Sequence, residues 1–218
     1  MILHPFYCNF NIVSAVRIYF YRNIIIAEGK MALKIYIDQG HNPVNPNAGA
    51  EGNGLREQDI VYEIGIQLAD LLRANGNFEV RLSRPTATTQ IGTSNSTSLR
   101  LRVDDANSWG ADYFISLHTN ASEIESASGS EGFAFSKPSE AFALGEDILE
   151  QLNRYTGLQN RGMFVRTNLY VLRRTQMPAV LLELGFITNP DDAYLMSSRP
   201  DLFAEGIYQG IVQYTGLS

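Results

Sequence analysis

Three short apolar runs, each halted by a residue able to bind a metal or move a proton, constrain this chain more than any other feature. They are Ala32-Leu-Lys-Ile-Tyr-Ile-Asp-Gln-Gly-His41, Asp112-Tyr-Phe-Ile-Ser-Leu-His-Thr-Asn120 and Ala179-Val-Leu-Leu-Glu-Leu-Gly185. Their length and β-branched and aromatic content predict strands. Gly40 gives the first one freedom to turn sharply, and Asn42-Pro43 forbids a continued strand or an immediate helix. Between these runs the apolar period changes to that of a helix. Ile60, Val61, Ile64, Leu68, Leu71 and Leu72 predict a helix that Glu57 opens and Asn75-Gly76 stops. Further helices are predicted over 99–109, closed by Gly110, over 139–155, with Ser139 as cap and Gly157 as stop, and over 201–214. Further strands are predicted over 78–82, 132–135 and 169–172, with polar loops at 42–54, 86–98 and 121–130, the last expected to be mobile and near the site. Strands alternating with helices predict a layered α/β domain around a mainly parallel sheet.

The chain has 218 residues, enough for one sizeable domain with a real core. A net charge of −6 argues against a nucleic-acid surface, which needs clustered Lys and Arg. With Cys8 as the single cysteine, neither an internal disulfide nor a cysteine-rich zinc site can form. Residues 1–30 differ from the rest: they are rich in aromatics, lack a steady period, and are too interrupted for a membrane span or a secretory signal. They are read as a leader, either an upstream misread or an appended segment, with residues 31–218 as the catalytic domain. The rival reading is a packed N-terminal strand or a poor export signal.

In an open α/β sheet, ligands collect beyond the carboxyl ends of the strands. His41, His118 and Glu183 lie at such ends, and Glu57 begins the helix that leaves the same edge. Two His and one Glu form a catalytic zinc set, with a position left for water, and a second Glu can carry protons. A single strand-end His is more often structural, but two of the three histidines in this chain hold equivalent places. Glu57 also fits a helix N-terminal charge, and Glu51 on the preceding loop competes as a ligand. Glu183 is the strongest anomaly, because a carboxylate inside an apolar strand is costly unless paired or functional. Asn120 and Arg173 are the substrate-binding candidates; a turn role for Asn120 and a solvated role for Arg173 are the plainer readings.

Five ordered motifs carry a resemblance: Asp38-Gln-Gly-His41, Gly54-Leu-Arg-Glu-Gln-Asp59, Ser116-Leu-His-Thr-Asn-Ala121, Tyr170-Val-Leu-Arg173 and Pro178-Ala-Val-Leu-Leu-Glu-Leu-Gly-Phe-Ile-Thr-Asn-Pro190. Together the chain from about residue 33 to 216 resembles the zinc-dependent N-acetylmuramoyl-L-alanine amidases of the third amidase class. The resemblance implies an α/β sandwich with a mixed, mostly parallel sheet. It also implies cleavage of the amide between N-acetylmuramic acid and the L-alanine of the peptidoglycan stem peptide. One zinc ion would be held by His41, Glu57 and His118, with Glu183 as the catalytic residue, which favours Glu57 over Glu51. The chain departs from the family pattern at Asn42, where a second Gly is usual, and at Thr119, where Ala is usual.

The alternatives are a zinc peptidase or amidohydrolase acting on another amide, and an inactive wall-binding or activator protein. Peptidoglycan is the expected partner, in the extracytoplasmic cell wall. Because no separate wall-binding module is read in the chain, targeting is expected to come either from the catalytic domain or from an activator or targeting protein. Phage lysin (endolysin), autolysin, and spore or remodelling enzyme all fit this reading.

Overall fold

The computed structural model describes residues 32–217, so the expectations for residues 1–30 lie outside the described residues. Six strands form the central sheet: β1 (Leu33–Gln39), β4 (Phe78–Leu82), β5 (Tyr113–Asn120), β6 (Ser130–Ala134), β7 (Asn160–Val165) and β8 (Ala179–Phe186). A separate two-stranded hairpin, β2 (Glu51–Gly52) and β3 (Leu55–Arg56), sits in the loop after β1. The sheet order is β4-β1-β5-β8-β6-β7. Every pairing in it is parallel except β6 with β8. The expected mixed, mostly parallel α/β layering is therefore the observed one.

Alternation along the strands sends successive side chains to opposite faces. Ile35, Ile37, Ile115, Leu117, Val180 and Leu182 face the larger core. That core is closed by α1 (Glu57–Asn75), α3 (Glu140–Thr156) and α6 (Pro200–Thr215). Tyr36, Phe114, Phe133 and Leu181 face the other way, into a smaller core closed by α2 (Asn95–Trp109) and α4 (Tyr170–Arg174). Asp38, His118 and Glu183 continue this second face toward the strands' carboxyl ends, so the site lies on the side with the thinner helical cover.

Local chemistry explains where the helices begin and end. α1 carries Glu57 and Asp59 in its first turn, favourable against the helix dipole, and ends at Gly76 with φ 76°. α2 opens on a capping box between Ser94 and Thr97, four residues before the expected start at Leu99. The Ser/Thr-rich composition of that segment signals a cap as well as a loop. Ser139 caps α3 and Gly157 ends it, as expected.

One expectation needs correction, and two elements were not anticipated. Residues 169–172 are not a strand: Leu169 is extended and residues from Tyr170 form the short helix α4. A four-residue apolar run is compatible with either period, and burial of the adjacent Val171 and Leu172 did not discriminate. Strand β7 went unread because it is an exposed edge with Gly162 inside it. Helix α5 (Pro190–Ser198) also went unread, although Asn189 caps it and Pro190 opens it. The loop 121–130 makes hydrogen bonds to this helix: Ser128 Oγ and Gly129 N donate to Asp192, and Asn189 Nδ2 donates to the Glu125 carbonyl.

Candidate metal centre and its neighbouring carboxylate

The first His is placed by the backbone more than by its own side chain. A Cβ on Gly40 would lie 2.5 Å from His118 Cε1 and 2.6 Å from the Leu117 carbonyl, so only glycine lets β1 leave the sheet this close to β5. The left-handed turn itself falls on His41, with φ 66°, and not on Gly40 as the sequence suggested. Such a conformation costs a non-glycine residue about 1 kcal/mol or more and persists only where neighbours enforce it. Arg102, reaching down from α2, is the enforcing neighbour. Its Nη2 donates to the His41 carbonyl, and its Nη1 donates to the Gln39 carbonyl at 2.6 Å and to Asp38 Oδ1 at 2.6 Å. Both members of this ion pair are buried. Burial pushes the Asp38 carboxyl upward, but the Arg102 charge and hydrogen bond outweigh it and hold the group below the usual carboxylate range. Asn42, where the family pattern has Gly, closes the same loop: its amide donates to the Pro46 and Ile91 carbonyls and accepts from Ile91 N.

Three donor atoms converge beside this loop. His41 Nε2 and His118 Nδ1 are 3.1 Å apart, His118 Nδ1 and Glu57 Oε1 3.0 Å, and His41 Nε2 and Glu57 Oε1 3.1 Å. The triangle is nearly equilateral. A tetrahedral metal with bonds of about 2.0–2.1 Å sets its ligand atoms roughly 3.3 Å apart, so the observed spacing fits a divalent ion. Two imidazole nitrogens facing one carboxylate oxygen at this range need a shared cation or proton between them. The Glu57 carboxylate is also held from behind, accepting from Thr119 N on Oε1 and from Ala50 N on Oε2, both at 2.9 Å. Burial raises its pKa, yet the hydrogen bonds and charges of His118 and His41 hold it well below the ordinary range. The same contacts act on His118 in the opposite sense: burial lowers its pKa, but Glu57, Glu183 and Asp38 together raise it. Glu51, the competing ligand, is exposed on β2, and among the described residues His41, Glu57 and His118 form a group that could hold a metal ion.

Glu183 stands beside this triangle. In the sheet register His118 of β5, Glu183 of β8 and Glu131 of β6 form one row across adjacent strands, so their side chains share a face. Burial pushes the Glu183 carboxyl up to about 7; Glu57 and Glu131 add to the rise, while His118 and Arg166 oppose it. Its Oε2 is buried without a protein hydrogen-bond partner. A carboxyl balanced near neutrality, with one oxygen uncommitted, can take up and release a proton at neutral pH.

Asn120 ends β5 next to this row, where its Nδ2 donates to Glu131 Oε1 at 2.9 Å. Arg161 of β7 holds the other Glu131 oxygen, Nε to Oε2 at 2.9 Å, and lies over the Phe186 ring. Arg173 sits in the last turn of α4, exposed, and makes no side-chain contact with these groups. Sequence reading missed Asp38, Arg102, Glu131 and Arg161. Only Asp38 left a signal, as the acid that ends the apolar alternation of β1.

Comparison with known proteins agrees with the fold. The profile of the family described as N-acetylmuramoyl-L-alanine amidase matches residues 35–213. The chain is 36% identical over 190 residues to the N-acetylmuramoyl-L-alanine amidase CwlM of Bacillus licheniformis, covering 85% of this chain and 70% of that protein. The crystal structure of an N-acetylmuramoyl-L-alanine amidase from Clostridium difficile 630 superposes with a TM-score of 0.76 at 30% identity, covering 85% of this chain and 97% of that one. The CwlD amidase from Clostridioides difficile, solved in complex with the GerS lipoprotein, gives a TM-score of 0.78 at 26% identity over 85% of this chain and 100% of that one.

Proposed function

The chain belongs to the N-acetylmuramoyl-L-alanine amidase family, which hydrolyses the amide between N-acetylmuramic acid and L-alanine in peptidoglycan, and on that premise we propose how its residues divide the reaction. His41, Glu57 and His118 hold one divalent ion, and Glu183 is the acid–base residue. The observation that carries this reading is the triangle of donors 3.0–3.1 Å apart with Glu183 one strand away on the same face. Two imidazoles and a carboxylate suit zinc, and a chain with one cysteine offers no softer set. When bound, the ion polarises the scissile carbonyl and lowers the pKa of water to about 7.

The protein's own groups do the remaining steps. Thr119 N and Ala50 N fix both oxygens of Glu57, so one oxygen stays aimed at the site. The Glu183 carboxylate accepts a proton from the attacking water as the new C–O bond forms. It returns that proton to the L-alanine nitrogen as the C–N bond breaks, leaving a lactyl carboxylic acid and a free amine. A pKa near 7 suits both halves of that exchange. Asn120 and Arg161 hold Glu131 beside this carboxyl, which keeps a second acid in the row from turning into the cleft.

The substrate places the work in the cell wall outside the membrane; among the described residues no helix is long and apolar enough to cross one. Residues 31–218 serve as the catalytic domain, in keeping with the family match over 35–213. A targeting or activating protein remains part of the proposal, supported by the related amidase solved with a lipoprotein. Digestion of purified peptidoglycan tests the function: the protein should release new L-alanine amino ends, and a chelator should stop it. Release of other amino ends with no L-alanine would favour a peptidase instead.

A further inference from the structure

We propose that Arg166 is a specificity-determining residue that binds a free carboxylate of the stem peptide just beyond the scissile L-alanine. The inference rests on the amidase reading above and deepens it. Its basis is the surface beyond Glu183. From β8 the sheet continues to β6 and β7, and Glu131, Phe133 and Phe164 lie on the same face as Glu183. Phe133 pairs with Leu181, two residues before Glu183, a separation of about 7 Å along a strand. The Arg166 guanidinium lies over the Phe133 ring, 4.9 Å from its centroid, and the Arg166 backbone N–H donates to the Ala134 carbonyl at 2.9 Å. Phe164, with 46% of its surface exposed, stands 6.2 Å from Phe133, ring to ring. A strip made of the buried Phe133 ring, the exposed Phe164 ring and the Arg166 cation therefore leads away from the carboxyl that protonates the leaving amine.

The direction of proton transfer sets the orientation. Glu183 delivers its proton to the L-alanine nitrogen, so the peptide side of the bond lies toward Glu183 and the sugar side over the triad. The peptide then runs along β6 and β7, where Arg166 waits. Arg161, the other arginine on this edge, is already committed to Glu131. Among the described residues Arg166 has no carboxylate partner, while ring stacking restrains its side chain. A guanidinium in that state is preorganised for a planar, two-oxygen acid.

The test uses the full chain and two muropeptides that differ only at the residue after L-alanine, one with a free carboxylate and one with that group amidated. Wild type should show the lower KM for the free acid. Arg166→Gln should raise KM for the free acid about tenfold with little change in kcat, and leave the amidated substrate unaffected. Arg166→Lys should fall between them. Activity on the amidated substrate reports that each variant is folded. Equal effects of Arg166→Gln on both substrates, or none on either, would overturn the assignment. Cleavage of neither substrate by wild type would sink the amidase reading itself, and this inference with it.

Discussion

Arg102 bridges the carbonyl of His41 and the carboxylate of Asp38, and so fixes a metal-ligand candidate through its backbone from α2, the helix on the site's own side of the sheet. The pair is fully buried, and removing one member leaves the other charge without compensation. Arg102→Ala is expected to cost about 3–5 kcal/mol of stability. The double variant Arg102→Met with Asp38→Asn should be less damaging than Arg102→Ala, because no charge is left stranded. Chemical denaturation measures both. Zinc affinity should fall in both variants, since either one frees His41 to leave its left-handed conformation.

Gly40→Ala makes a sharper spatial prediction. The added methyl would meet His118 Cε1 at 2.5 Å and the Leu117 carbonyl at 2.6 Å, and backbone cannot yield as a side chain can. His118 must swing away, so bound metal and activity should fall together while the far-ultraviolet spectrum stays close to wild type. Normal zinc content in this variant would show that β1 tolerates a wider separation from β5.

The proposed metal ligands should separate from Glu183 by what each loses. Glu57→Gln and His118→Ala should lose zinc first, with the stoichiometry falling well below one per chain by elemental analysis. Because Glu57 accepts from Thr119 N and Ala50 N as well, Glu57→Gln should also loosen the loop ahead of α1. Hydrogen exchange at those two amides checks that.

The stability of metal-free protein carries a pH signature of Glu183. Burial raises its pKa from 4.5 to about 7 in the folded chain, so between those values the folded state holds more protons than the unfolded state. Stability should fall as pH rises through that window. Glu183→Gln removes the dependence and should be the more stable protein above pH 7, by at most about 3 kcal/mol. Glu57 acts in the opposite sense: its depressed pKa contributes stability above its unfolded value that is lost as pH falls below it. Thermal melts at a series of pH values, with chelator present, measure both slopes.

These relationships differ in how far they could be read from residues alone. His41, His118 and Glu183 stood out because each interrupts an apolar strand, where a polar side chain needs a reason. Glu57 was ambiguous beside Glu51 until the family resemblance separated them, since both lie near one helix start. Arg102 was invisible: an arginine within a helix reads as solvated, and its partner Asp38 is 64 residues away. Helix α4 was mistaken because its apolar run is shorter than either period can define. Strand β7 was missed because an exposed edge lacks the alternation that half-burial imposes. The sheet and its catalytic edge were thus legible, while the buried polar support and the outer edge beside Arg166 required three-dimensional placement.

The most direct test of the central claim is zinc content measured alongside release of L-alanine amino ends from peptidoglycan, for wild type and Glu183→Gln. The account predicts one zinc per chain in both proteins, with turnover in the variant lower by about 10²–10⁴-fold. A variant that retains its zinc and still cleaves at the wild-type rate would contradict it.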